Sequence, residues 1–118
     1  MSKNIRLKAS FYTNSLGNEP VRVWLKGLDA HDRKTIGEDI AYVQFKWPIG
    51  KPRVDHLRGD IWEVRSQIGN RIARTLFAVV KGEMVLLNGF IKKTQQTDRS
   101  EIEIAQTRLK EWIKNENK

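Results

Sequence analysis

Residues 5–12, IRLKASFY, set Ile5, Leu7, Ala9 and Phe11 against Arg6, Lys8 and Ser10. A period of two sends successive side chains to opposite faces, so this stretch predicts a half-buried strand. The period then lengthens. Val21, Trp24, Leu25 and Leu28 share one helical stripe. Asn18 ahead of them suits an N-cap and Pro20 suits a first helical turn. A second helix is predicted from about Asp29, with Ile36, Ile40 and Val43 at helical spacing and Gly37 as its weakest position. Residues 46–55, KWPIGKPRVD, hold two prolines and a glycine and read as a loop.

Strand periodicity returns at residues 61–68, IWEVRSQI, where Trp62, Val64 and Ile68 oppose Glu63, Arg65 and Gln67. Gly69-Asn70 predicts a hairpin into RIARTLFAVV (71–80), and Lys81-Gly82-Glu83 a second turn into MVLLNGFI (84–91). A last helix is predicted from about Arg99 to Asn115, with Ile102, Ala105, Leu109 and Trp112 as its apolar stripe. Asp98 and Glu101 suit its positive N-terminal end, Asp98 as the cap. The expected fold class is α+β: an N-terminal strand, two helices, a small, mainly antiparallel sheet of about four strands, and a C-terminal helix. In this reading helices cover one sheet face and the other stays open.

Length and composition bound the rest. With 118 residues and 39% hydrophobic content, residues 1–118 are expected to form a single domain with a real core. The absence of cysteine excludes disulfides, zinc–thiolate sites and a Cys nucleophile. No apolar run approaches the roughly 20 residues of a membrane span, and the polar alternation near the N-terminus is unlike a secretory signal. A cytoplasmic protein without membrane contact is therefore expected. The net charge of +8 is uneven: residues 50–99 carry ten Lys and Arg against five Asp and Glu. A basic excess within the folded part, rather than in a tail, favours a polyanionic partner.

The cations suggest a chemistry. Arg65 lies on the strand face opposite Trp62, Arg71 and Arg74 enter the next strand, and Lys92-Lys93 end the one after. These groups are expected to converge on one edge of the open face. The two histidines, His31 and His56, and the spacing of the carboxylates match no metal site, so no metal and no cofactor is expected. No nucleophile elbow occurs either. An Arg/Lys cluster stabilises the extra negative charge of a phosphorane, and RNA brings its own nucleophile in the 2′-hydroxyl. Trp62 and Phe90 are read as core, His56 as a structural loop residue and His31 as surface.

The stretch from Leu57-Arg58-Gly59 through Glu63-Val64-Arg65 and Arg74 to Gly89-Phe90-Ile91-Lys92-Lys93-Thr94, followed by EIEIAQTRLKEW, resembles the RelE/HigB superfamily of bacterial type II toxins. The closest likeness is to the phage-derived HigB-like branch, over residues 50–112. The resemblance implies a ribosome-dependent mRNA endonuclease held inactive by a helix-turn-helix (HigA-like) antitoxin, with ribosome and mRNA as partners. It implies Arg65, Arg74, Lys92 and Lys93 as catalytic residues, and Arg58, Arg71, Lys51 and Arg53 as RNA-holding ones. The chain departs from many RelE-type members in offering no Tyr or His after Thr94, so the general base stays unassigned. Three rivals stand beside this reading: a gyrase-inhibiting toxin of the same superfamily, a non-catalytic basic phage module that binds RNA or protein, and a generic soluble basic domain.

Overall fold

The computed structural model describes residues 7–92 and 96–116. Its elements run β1 (Lys8–Phe11), α1 (Pro20–Lys26), α2 (Ala30–Lys46), β2 (Val54–Arg58), β3 (Ile61–Ile68), β4 (Arg71–Val80), β5 (Glu83–Lys92) and α3 (Arg99–Glu116). The α+β class and the order of the expected elements hold. The sheet has five strands rather than about four, in the order β1-β5-β4-β3-β2. β1 lies parallel to β5 and the remaining pairs are antiparallel. The additional strand is β2, which lies within and just beyond the segment read as a proline loop. Val54 pairs with Val64 and His56 with Trp62 once the chain has passed Pro52.

Local chemistry explains the boundaries. Pro20 occupies the first turn of α1, where its missing N–H costs nothing. α2 begins where expected, and Asp29 caps it, its Oδ1 accepting from the Asp32 backbone N–H at 2.8 Å. Asn18 does not cap α1. It sits instead in a turn closed by Asn14, whose Oδ1 accepts from the Leu16 and Asn18 amides. The β4–β5 turn holds Lys81 at φ 51° and Gly82 at φ 79°. Two successive left-handed residues match the right-handed twist of the flanking strands.

The expectation of one open sheet face is corrected. On one face α1 and α2 bury Val21, Ile36, Ile40 and Val43 against Val64, Ile68, Ala73, Phe77 and Met84. On the other, α3 lays Ile102, Ala105 and Leu109 over Ile61, Leu76, Ala78, Val85 and Leu87. The apolar stripe of α3 needs a cover, and the unbroken apolar runs of β4 and β5 are those of strands buried on both sides. Gly89 makes the first face possible. A Cβ there would stand 2.2 Å from Cε3 of Trp24, so only glycine lets α1 close onto β5.

Candidate functional site

β2 pairs with β3 only as far as Val64 on the cleft side, and beyond that point α2 and the chain before β2 flank the end of β3. Between them lies a cleft of about 410 Å³ lined by Thr35, Asp39, Pro52, Arg53, Arg65, Gln67 and Ile72. Arg65 is held there by its own strand and by Arg53, whose carbonyl accepts the Arg65 N–H at 2.9 Å. Its Nε donates to Glu63 Oε2 at 3.0 Å, and Nη2 stands 3.7 Å from Asp55 Oδ2. Arg53 lays its guanidinium 4.1 Å above the Tyr42 ring and 4.0 Å from Asp39 Oδ1. Lys51, largely exposed, is 3.9 Å from Asp55.

Arg74 departs from the expected surface cluster. It is directly opposite Arg65 in the β3–β4 register, yet it is fully buried. Nη1 donates to Glu63 Oε2 at 2.9 Å and to Thr97 Oγ1 at 3.2 Å. Glu63, expected on the open face, is likewise 0% exposed, and its Oε1 also takes the Thr97 hydroxyl in a short hydrogen bond. One carboxylate therefore joins two arginines and the segment that leads into α3. Burying it is tolerable because both its oxygens are occupied and its charge is matched.

The other expected residues divide. Arg71 is half-buried at the start of β4 and reaches back to Asp32 of α2 at 2.9 Å. Lys92 ends β5 at the same end of the sheet and pairs with Asp98, the residue expected as the α3 cap. Lys93 and Thr94 lie outside the described residues. Arg58 is not brought into the group. It closes β2 at the end away from Val54, roughly 13 Å along the strand, and has no ion-pair partner among the described residues. Arg53, Arg65, Arg71 and Lys92 are thus gathered at one end of the sheet, each beside a carboxylate, while Arg74 lies beneath them.

His56 is a structural residue. Its ring stacks on Trp62 at 4.4 Å and Nε2 meets the Gly59 carbonyl at 2.6 Å. Among the described residues no three His, Asp or Glu side chains are grouped to hold a metal ion. No described helix is long and apolar enough to cross a membrane. At the far end of α3, burial and a short hydrogen bond to Glu111 push the Tyr12 hydroxyl up to about 12, with Arg108 opposing.

Reading by strand parity alone missed Glu63 as a hub, together with Asp39, Tyr42 and Thr97. The signal for Glu63 was present in one form. A Glu two residues before Arg65 stands diagonal to any arginine paired across from Arg65, so a single carboxylate reaches both.

Guanidinia around an open cleft recognise phosphate through paired N–H donors and stabilise negative charge that develops there. No curated protein sequence matches the chain. A family model does, across residues 23–110, under the description "Phage derived protein Gp49-like (DUF891)". That span runs from within α1 through most of α3 and includes every described residue of the cleft. The chain belongs to this phage-derived Gp49-like family, within the RelE/HigB-like toxin superfamily.

Proposed function

We propose that this protein is a HigB-like toxin of a type II toxin–antitoxin pair that cleaves translated mRNA on the ribosome, the RNA 2′-hydroxyl being the nucleophile. The observation that carries the reading is the open cleft walled by Arg53 and Arg65, with Arg71 and Lys92 at the same end of the sheet. Family membership adds the toxin class.

In this mechanism the scissile phosphate meets Arg65, whose fork offers two parallel N–H donors to two phosphate oxygens. Arg53 and Lys93 supply further positive charge as the phosphorane forms, and Arg71 and Lys51 hold the flanking backbone. Arg74 acts as a positioning residue, because it fixes the carboxylate that fixes Arg65. The ribosome brings the 2′-oxygen into line. As that oxygen gives its proton to solvent and bonds to phosphorus, the P–O5′ bond breaks and the departing 5′-oxygen takes a proton from solvent. A 2′,3′-cyclic phosphate and a 5′-hydroxyl are left, so positioning and charge neutralisation carry most of the acceleration. The cations supply the charge stabilisation, so no metal ion is required. A helix-turn-helix antitoxin with an acidic segment would cover the same cations.

A non-catalytic binding module is the second reading. It is favoured by one observation: each described cation of the cleft stands within 4.0 Å of a carboxylate, which leaves its charge partly balanced.

Primer extension on a reporter mRNA in a reconstituted translation reaction separates the two. Wild type should produce cuts only when ribosomes are present, and Arg65→Ala and Lys93→Ala should each suppress them. Intact mRNA with folded wild-type protein overturns the endonuclease reading in favour of binding, and DNA breaks on induction would favour the gyrase-inhibiting alternative.

A further inference from the structure

One wall of the cleft contains more than phosphate-binding groups. Thr35 and Asp39 of α2 line it, and Tyr42, three positions further on the same side of the helix, lies behind Arg53. Tyr42 is 38% exposed, and the Arg53 guanidinium lies 4.1 Å over its ring. Arg53 itself is 43% exposed, so the stack is open to solvent.

Asp39, one helical turn away, has unfilled acceptors. Its carboxylate takes no hydrogen bond from any described residue, and the cation nearest to it, Arg53 Nη1, is 4.0 Å away. This contrasts with Glu63, whose two oxygens are both occupied. Across the cleft, Gln67 donates through Nε2 to the Gly69 and Arg71 carbonyls at 2.7 and 3.3 Å. Its Oε1 has no donor among the described residues.

We infer that the cleft holds a nucleobase subsite selective for guanine, with Arg53 on Tyr42 as the stacking platform and Asp39 as the reader of the base edge. The inference rests on the reading of the cleft as an RNA site and adds which base it takes. Single-stranded bases are recognised by stacking on aromatic or guanidinium planes and by hydrogen bonds to their Watson–Crick edges. A carboxylate is acceptor-only, with two parallel oxygens. Guanine alone presents two adjacent donors on that edge, N1–H and N2–H. Adenine and cytosine place a ring-nitrogen acceptor beside their amine, and uracil flanks its single N–H with carbonyls, so each sets a lone pair against Asp39. The cationic groups Arg53 and Arg65 beside it offset the cost of a carboxylate near an RNA backbone.

The test uses the full chain without ribosomes, and short single-stranded RNAs that differ in one base, with binding followed by amide chemical shifts. The guanine RNA should bind tighter than the adenine, cytosine and uracil versions by roughly tenfold or more, the discrimination of one good bidentate contact. Asp39→Asn keeps the shape and removes one acceptor. It should abolish the guanine preference while retaining binding, and Tyr42→Ala should weaken all four RNAs alike. Because Asp39→Asn also removes a negative charge, the ratio between bases is the readout, not the absolute affinity. Equal binding of the four RNAs, a guanine preference that survives Asp39→Asn, or no binding at millimolar RNA each overturns the inference. A guanine preference lost in Asp39→Asn supports it even if no mRNA is cleaved. Conversely, ribosome-dependent cleavage with equal binding of the four RNAs would leave the endonuclease reading standing and remove this one.

Discussion

Removing the Glu63 carboxylate tests the account of the site most directly. Glu63 and Arg74 are both 0% exposed, and Oε2 accepts from Arg74 Nη1 at 2.9 Å and from Arg65 Nε at 3.0 Å. Glu63→Leu leaves the Arg74 guanidinium buried without its counter-charge. Breaking a buried pair in this way costs about 3–5 kcal/mol, a large share of the roughly 5–15 kcal/mol that holds a small domain folded. For a chain of this size that corresponds to a fall in Tm of about 10–20 °C. Arg74→Met should cost less, because Glu63 keeps Arg65 as a partly exposed partner. Replacing both partners, Glu63→Leu with Arg74→Met, removes both desolvation penalties and should recover most of the loss. Urea unfolding of the four proteins, followed by tryptophan fluorescence and far-ultraviolet circular dichroism, gives the cycle. A loss below about 1 kcal/mol in Glu63→Leu would refute the buried-charge argument, as would a double variant no more stable than the sum of the singles.

Two further predictions concern other parts of the fold. Gly89→Ala places a methyl group 2.2 Å from the Trp24 ring. It should cost about 1–3 kcal/mol or more, with part of the loss recovered when Trp24→Leu is added; equal denaturation midpoints for wild type and Gly89→Ala would show that α1 does not pack as described. Tyr12, raised to about 12 by burial and by Glu111, titrates late in the folded state. Between its ordinary value near 10 and 12 the unfolded chain binds fewer protons than the folded one. Stability should therefore be insensitive to this group below pH 10 and fall through that window, by at most about 2–3 kcal/mol. In a Tyr42→Phe variant Tyr12 is the sole tyrosine, and ultraviolet titration should show its phenolate only near 12. A transition near 10 in the folded protein would contradict the burial and hydrogen bond assigned to it.

Much of the fold was legible because periodicity and caps are local. The start of α2 near Asp29, the first-turn Pro20, both hairpin turns and the α3 stripe could be placed from neighbouring residues alone. Strand parity was also read correctly: Glu63, Arg65 and Gln67 do share a face. What parity cannot say is which part of that face receives a cover. The segment ahead of α3 brings Thr97 onto Glu63 from 34 positions away, and this contact turns an apparent surface pair into a buried one. Asp32, Asp39 and Asp55 were hidden because they belong to the site only through α2 and β2 packing beside β3. β2 was hidden for another reason. Pro48 and Pro52 read as loop, yet a proline before the first residue of an edge strand removes no ladder hydrogen bond.

The two arginines that face each other across β3 and β4 therefore differ in accessibility, and magnitudes decide which of them is open to a ligand. Arg74 is fully enclosed and held by a buried carboxylate, so drawing it out would forfeit about 3–5 kcal/mol. Arg65 is 30% exposed, and on its solvent side Asp55, at 3.7 Å, is its one carboxylate partner among the described residues. A partly exposed pair of that length is worth about 0–1 kcal/mol, whereas a hydrogen bond to a charged group contributes about 1.5–3 kcal/mol. In the proposed mechanism a phosphate at the cleft would displace Asp55 from Arg65 without disturbing the bond from Arg65 Nε to Glu63. The guanidinium would thus meet such a ligand already oriented from behind, with one edge fixed in the protein and the other open to exchange one anion for another.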